Sequence, residues 1–265
     1  MGRGLKYLTV QIKPSGQFGN AGMYSQAIAT VAVCEAAGMT QDESVKKVVR
    51  LAVDYIVKAQ ADDGSWGYVA NQAGDTSIIG WQIQALKSAR LSDIAVDQKV
   101  FDKAMAFLDS VSGDSGATDG YRTKSSSHTL TAVALLCRQF NGWTPRNVAL
   151  GRGIEFMWTK LPPKDVDFNM YYYYATQVFH NFGGPKWHDD WNPKMQKLLL
   201  TKQITEKTPA SKASDIGSWP ADRDHIGKGC GKLGTTALCC LTLEVYYRHL
   251  PLYKRDIGGL ELLDK

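Results

Sequence analysis

The chain has 265 residues, 44% hydrophobic and 22% charged, which suffices for the core of one large domain or two small ones. Its formal charge of +5, from 31 basic and 26 acidic residues, is spread thinly, so no Lys/Arg run marks a nucleic-acid surface. No apolar stretch approaches the roughly 20 residues of a membrane span, and Met1-Gly2-Arg3-Gly4 lacks a signal-peptide pattern. The five cysteines, Cys34, Cys137, Cys230, Cys239 and Cys240, are odd in number and irregularly spaced. They point to reduced thiols in a cytoplasmic protein rather than to a disulfide framework.

In chain order, Leu5 to Gln11 reads as the tail of an outer helix. Tyr24 to Ala37, Thr76 to Ala89, Thr129 to Phe140, Met170 to Phe182 and Thr235 to Tyr247 are apolar nearly all round. A helix apolar on every face is buried on every face. Between them, Asp42 to Gln60, Asp97 to Val111, Arg146 to Leu161 and Pro193 to Gln203 gather charge on one stripe, as in Glu43, Lys46, Lys47 and Arg50, and read as outer helices. Thr40-Gln41-Asp42-Glu43 has the form of a capping box, and Asn192-Pro193 places proline in a first turn. Gly38, Gly142 and Gly183-Gly184 read as helix stops. The Gly-rich stretch 225–234 and the run His188-Asp189-Asp190 read as loops.

Gln60-Ala61-Asp62-Asp63-Gly64-Ser65-Trp66 directly follows an outer helix. The same device recurs as Gln11, Gly16 and Phe18, and as Gln203, Gly217 and Trp219. The three glycines are 48 and 153 residues apart, and 153 is three times 51, so the repeat is one helix pair. Degenerate linkers are expected at Gly120-Tyr121 and around Asp167-Phe168. The glycine lets the chain turn back. The Gln amide can serve free N–H groups of the next inner helix, and the aromatic ring covers the joint. Buried helices alternating with amphipathic ones predict an all-α double barrel, closed or partly closed.

Gln60 to Trp66 resembles the QW motif of squalene and oxidosqualene cyclases. Protein prenyltransferase β subunits and complement-type thioester domains share the α/α toroid that this resemblance implies. Met23-Tyr24-Ser25, Gly74-Asp75-Thr76-Ser77, the run from Tyr171 to Thr176, and the run from Leu243 to Pro251 are similar to the squalene-cyclase-like proteins of planctomycete bacteria, of the prenyltransferase/squalene oxidase repeat type. The resemblance covers nearly the whole chain. It implies a single α/α-toroid domain over 1–265 with about five hairpin repeats, incomplete or open and N-terminally truncated, because the family pattern has further hairpins before Leu5. An open ring exposes apolar helix faces and favours a homo-oligomer; otherwise the chain is the remainder of a longer one.

The relatives' chemistry does not carry over with the fold. The Asp-x-Asp-Asp acid sequence of squalene-hopene cyclases is missing, since Asp165-Val166-Asp167 followed by Phe168 keeps two acids, so polycyclisation is not expected. Protein prenyltransferases hold zinc with Asp, Cys and His. Candidates here are Asp75, His128, Asp167, His225 and Cys230, but the Asp-x-Cys spacing is not reproduced, and no metal ligand or cofactor is assigned. Gly229-Cys230-Gly231 resembles the start of a thioester motif, yet Lys232-Leu233 follow and the closing Gln is missing. The same stretch does not fit a P-loop.

Each inner helix begins with polar or aromatic residues. Stacked in register, these would line one mouth of a central cavity. Tyr24, Thr76, Trp81, Tyr171, Tyr172 and Thr235 are the candidate ligand-binding residues, with Asp75 and His128 as candidates for general acid or base. Asp75, His128 and the threonines also fit helix capping, and four consecutive tyrosines spread round a helix rather than facing one way. Three functions compete. One is binding, or chemistry, on an apolar isoprenoid-like small molecule. The second is a non-catalytic scaffold with a packed centre, contacting partners through the loops Ser112 to Ser127 and Thr205 to Ile226. The third is carbohydrate processing, with Trp66 and Trp219 stacking on sugars, although the linker already accounts for both rings.

Overall fold

The computed structural model describes residues 2–159, 170–209, 212–221 and 225–246, with His225 as backbone alone. Asp165, Asp167, Phe168 and the linker expected around them lie outside the described residues, as do Tyr247 to Pro251. The described residues are helical apart from loops and one two-stranded turn. In order it forms α1 (Gly2–Gln11), α2 (Met23–Thr40), α3 (Glu43–Lys58), α4 (Thr76–Leu91), α5 (Gln98–Ser110), β1 (Ser112–Gly113), β2 (Thr118–Asp119), α6 (His128–Phe140), α7 (Val148–Trp158), α8 (Met170–Phe182), α9 (Asn192–Lys202) and α10 (His225–Leu243). It gathers into two compact units. The first holds Met1–Gly113 and Asp119–Ser125; the second holds Asp114–Thr118 and Ser126–Arg248.

In the first unit α2 and α4 pack side by side, α3 lies against both, α1 against α2, and α5 against α4. Asp42, Asp75 and Asp97 cap α3, α4 and α5 by accepting backbone N–H groups of the first turn. Fourteen of the sixteen residues of α4 are buried, as its apolar circumference predicts. α2 departs from that expectation: Ile28 is 46% and Met39 66% exposed, so one flank is apolar and open. Nor does α2 stop at Gly38. It runs on to Thr40, and Gln41 takes the left-handed conformation at φ 55. The expected capping box reduces to Asp42, which accepts from Ser44 N at 2.8 Å, while the Thr40 hydroxyl turns back to Ala36 O.

In the second unit α8 lies between α6 and α10, and α7 packs on α6. His188-Asp189-Asp190 is not a loop. It belongs to a π-helical turn, Lys186–Trp191, that runs straight into α9. The wide turn buries both Trp187 and Trp191, and the Trp191 indole donates to Thr176 Oγ1 at 3.0 Å. The Gly-rich stretch is helical as well, opening α10 with a single break at Gly231, φ 61 and ψ −159. Gly234 is obligatory there, because a Cβ would overlap that of Cys230.

The linkers share one geometry. Ala61 N donates to Ser65 O at 2.9 Å and Gly64 N to Ala61 O at 3.0 Å. Lys13, Gln17 and Gly16 repeat this pattern, as do Ile204, Ser218 and Gly217. Gly16, Gly64 and Gly217 all lie at φ near +88, and so does Gly116, at +90. Their spacings are 48, 52 and 101 residues. The degenerate linker is therefore at Gly116 rather than at Gly120-Tyr121. Each of these glycine carbonyls accepts from a side chain: Gly64 O from Gln60 Nε2 and Gly217 O from Gln203 Nε2, both at 2.9 Å, Gly16 O from Gln26 Nε2 at 2.9 Å, and Gly116 O from Arg138 Nε at 3.4 Å. The amide thus donates to carbonyls instead of serving N–H groups of the next helix. Gln11 is not the counterpart of Gln60. Ile12 stands at that position, four residues before the glycine, and Gln26 of α2 supplies the missing donor.

Three of the four linkers end on a buried ring, Phe18, Trp66 and Trp219, while Thr118 stands at that place after Gly116. Trp66 Nε1 donates to Ile56 O and Trp219 Nε1 to Leu199 O, each at 2.8 Å. Both carbonyls lie in the last turn of a helix, α3 or α9, and each also accepts a backbone N–H, Ile56 O from Ala59 at 3.2 Å and Leu199 O from Gln203 at 3.1 Å, so the indole is a second donor there. The Gly64 turn also docks onto α5. Gln60 Nε2 reaches Val100 O of α5 at 3.0 Å, and a Cβ on Gly64 would overlap the Lys103 carbonyl. Two substitutions test this. Trp66→Phe keeps most of the ring but removes one of the two donors to the Ile56 carbonyl, and should lower the unfolding free energy by about 0.5–1.5 kcal/mol. Gly64→Ala adds a steric overlap to the cost of a left-handed alanine, about 1–3 kcal/mol. It should therefore exceed Gly142→Ala, whose left-handed site at φ 103 is open. Urea denaturation of the full chain compares all three.

Candidate functional site

A connected cluster of polar side chains in the first unit lies at the N-terminal ends of α2 and α4. Asp75 has no exposed surface. Its Oδ1 accepts Ser77 N at 2.9 Å and the Ser77 hydroxyl at 2.5 Å, closing the first turn of α4. The single Ser77 hydroxyl hydrogen is directed at the carboxylate, so Tyr24, 2.5 Å away, donates to Ser77 Oγ. Asp75 Oδ2 is buried with no hydrogen bond of ordinary length and angle. A buried acceptor left in that state costs about 1–3 kcal/mol, and more when charged.

Two loops place further phenols over this carboxylate. Met23 N, the first donor of α2, is accepted by Tyr68 O at 3.1 Å, and Thr76 N, the first of α4, by Tyr121 O at 3.2 Å. These pairs are equivalent positions one repeat apart: Tyr68 and Tyr121 are separated by 53 residues, as are Tyr24 and Ser77. The Tyr68 and Tyr121 hydroxyls meet at 3.1 Å, and the Tyr24 and Tyr68 rings lie 5.7 Å apart. Thr76 also donates its hydroxyl to Gly120 O at 2.7 Å, fastening the Tyr121 loop. Burial pushes the Tyr24 phenol far above its ordinary titration range; the Ser77 hydrogen bond opposes this, and the Asp75 charge adds to it. Tyr121 is raised by desolvation, then by the Tyr68 hydroxyl and the Asp75 carboxylate. These phenols stay protonated near neutrality and act as hydrogen-bonding groups and ring faces rather than as bases.

The structure thus brings Asp75, Thr76 and Tyr24 together, and adds Ser77, Tyr68 and Tyr121, which sequence reasoning passed over. The dipeptides Gly67-Tyr68 and Gly120-Tyr121 carried the clue, at the same 53-residue spacing. Trp81 is buried along α4. In the second unit His128 opens α6, behind the Ser127 cap. Its Nε2 is 2.8 Å from Thr159 Oγ1, and its ring stacks on Phe156 at 4.3 Å with its edge to Tyr171. Tyr171 donates its hydroxyl to Met157 O at 3.0 Å, capping α7, and burial drives its phenol upward. Tyr172 packs between Tyr171 and Trp191. Thr235 is buried and donates to Gly231 O at 3.3 Å. Tyr171 and Thr235 thus spend their hydroxyls on backbone carbonyls.

Among the described residues no three His, Cys, Asp or Glu side chains form a group able to hold a metal ion. No helix among them is long and apolar enough to cross a membrane. No protein-family model matches the chain, and no curated protein matches it.

Two outcomes follow from this geometry. Thr76→Val keeps the backbone donor but releases Gly120 O, so trypsin should cut after Arg122 several-fold faster than in the wild type. The second concerns His180, near the end of α8, whose ring meets the edges of Trp187 and Tyr246. Its titration is depressed by burial and by His188, against a hydrogen bond with Asn181. The unfolded chain therefore binds the extra proton first. Stability contributed by neutral His180 is present above about pH 6.5 and is lost as pH falls through the lower folded value. Urea midpoints between pH 7 and pH 5 should decline, and His180→Phe should flatten that decline.

Proposed function

We propose that the chain is a helical repeat protein of the squalene-cyclase-like α/α-toroid kind that binds a small molecule with an apolar body at the N-terminal ends of α2 and α4. The observation that carries this reading is the convergence of Tyr24, Tyr68 and Tyr121 on the buried carboxylate of Asp75. An aromatic surface with one placed polar group is what such sites are made of. Tyr68 and Tyr121 are 51% and 41% exposed, so the rings stand open to an incoming ligand. The recurring Gly–aromatic linkers support the family reading. Binding of an isoprenoid-like molecule follows from the apolar character of this surface; Asp75 would orient the ligand or exchange a proton with it.

One observation favours a scaffold instead. Tyr171, Tyr172, Tyr173 and Tyr174 of α8 are each at most 2% exposed, so this inner helix of the second unit is packed rather than open. The test is mass spectrometry of the protein captured from native host extract and then denatured. The binding reading expects a released apolar molecule that disappears with the Tyr68→Ala/Tyr121→Ala variant. Release of nothing beyond the buffer blank would leave the scaffold reading.

A further inference from the structure

α2 and α10 each leave one flank exposed, and the two flanks correspond to the two halves of one contact, that of α4 on α2. In that contact Ser77 meets the Tyr24 hydroxyl, Gln82 Nε2 donates to Met23 O, and Ser92 Oγ donates to Cys34 O at 2.7 Å. Cys34 Sγ also reaches Ala85 O at 3.9 Å. The two helices therefore run parallel, and α4 docks with the stripe Ser77, Gln82, Ala85 and Ser92. One repeat earlier, at the 53-residue spacing of Tyr24 and Ser77, stand Tyr24, Ala29, Ala32 and Met39 of α2. Ala32 and Met39 are exposed, as is Ile28 one turn before Ala32. α2 thus keeps uncovered the face by which α4 docks.

α10 carries the other half. Phe18 N donates to Gln26 Oε1 at 2.9 Å, and Trp219 N to Thr236 Oγ1 at 3.1 Å, so in both linkers the inner helix that follows accepts the N–H of the ring residue. Gln26 and Thr236 are equivalent positions, 210 residues apart, and they set α2 and α10 in register. Burial follows the same register. Ser25, Ile28 and Ala32, exposed on α2, match Thr235, Leu238 and Thr242, buried on α10, which packs on α8. Met23, Ala27 and Cys34, buried on α2, match Leu233, Ala237 and Glu244, exposed on α10. Leu233 is the most open of these, at 82%. α10 thus keeps uncovered the face with which α2 receives α4.

We propose that copies of this chain associate head to tail, the open flank of α2 in one copy docking on the open flank of α10 in the next, as α4 docks on α2. A second copy is the occupant that fits, because one chain offers both halves of the contact. The join is heterologous, two different surfaces meeting. It is also more apolar than the internal contact. Ala29 and Met39 stand where α4 has Gln82 and Ser92, so the side-chain bonds to Met23 O and Cys34 O have no counterpart. One helix on one helix covers less than the roughly 1,200–2,000 Å² of stable interfaces. The association is therefore reversible and depends on concentration.

The test is sedimentation equilibrium of the full chain over about 5–500 µM, where a modest contact is partly formed. The wild-type mass should rise with concentration from one chain to at least two. Ile28→Lys, on α2, and Leu233→Lys, on α10, should each stay monomeric throughout. Their equimolar mixture retains one intact join, α2 of the Leu233→Lys chain on α10 of the Ile28→Lys chain, and should form dimers again. Thermal melting verifies that both variants are folded; should either fail, Met39→Lys or Ala237→Lys takes its place. A monomeric wild type, or a mixture that stays monomeric, would overturn the proposal. So would a Leu233→Lys chain that assembles as the wild type does, which would mean that the α2 flank meets its own copy.

Discussion

A glycine in the left-handed conformation turns the chain back at Gly16, Gly64, Gly116 and Gly217, and each time its carbonyl has to be paired. Much of the rest hangs on how that carbonyl is met. At Gly16 and Gly116, which are buried, an acceptor without a donor costs as much as several favourable contacts return, so those turns depend on the side-chain N–H that reaches them. The donor fixes the angle at which the chain leaves the turn. At three of the four a buried ring two residues on, Phe18, Trp66 or Trp219, seals the joint, and Trp66 and Trp219 additionally bond the last turn of the helix before it. At Gly16 and Gly64 the missing Cβ lets the turn sit directly on a following helix, against Leu51 O of α3 and Lys103 O of α5. The lateral stacking of helix pairs is thus decided in about seven residues of linker rather than along the helices themselves.

The candidate site is a by-product of that stacking. Translating one repeat onto the next superposes Tyr24 on Ser77 and Tyr68 on Tyr121, and the repeats touch through these equivalent positions. Had both repeats carried the same residue at the first pair, two like hydroxyls would meet. Instead a phenol meets a serine already committed to Asp75, and the result is a directed chain of hydrogen bonds ending on a carboxylate. Repetition supplies the proximity, and the departure from it supplies the chemistry. The same reasoning explains why Asp75 cannot be dismissed as a cap: capping uses one of its oxygens and leaves the other buried.

Helix order and type were legible in the sequence because they rest on periodicity, which is local. α8 falls on the expected residues Met170–Phe182, and Gln60 and Trp66 announce their turn. What escaped was either supplied from elsewhere in the chain or made by the backbone. Gln26 and Arg138 look like polar intrusions in apolar helices, and only the fold shows that they answer distant carbonyls. Tyr68 and Tyr121 hold α2 and α4 through their main-chain oxygens, a role that side-chain identity does not encode. Glycine content misled at 225–234, where Gly229, Gly231 and Gly234 read as a loop but sit within a helix broken once, and the charges of 188–190 hid a π-helical turn between two buried tryptophans.

The identity of the donor at each turn also sets an order of events as the chain is made. Gln60 and Gln203 belong to the turns they close, so those turns can form as soon as their own residues leave the ribosome. Gln26 and Arg138 lie 10 and 22 residues downstream of the carbonyls they meet, on the helices that follow. The turns at Gly16 and Gly116 must therefore wait, with their carbonyls on water, until α2 and α6 have emerged and docked. Two of these four joints can close from their own residues and two close only on docking of the helix that follows.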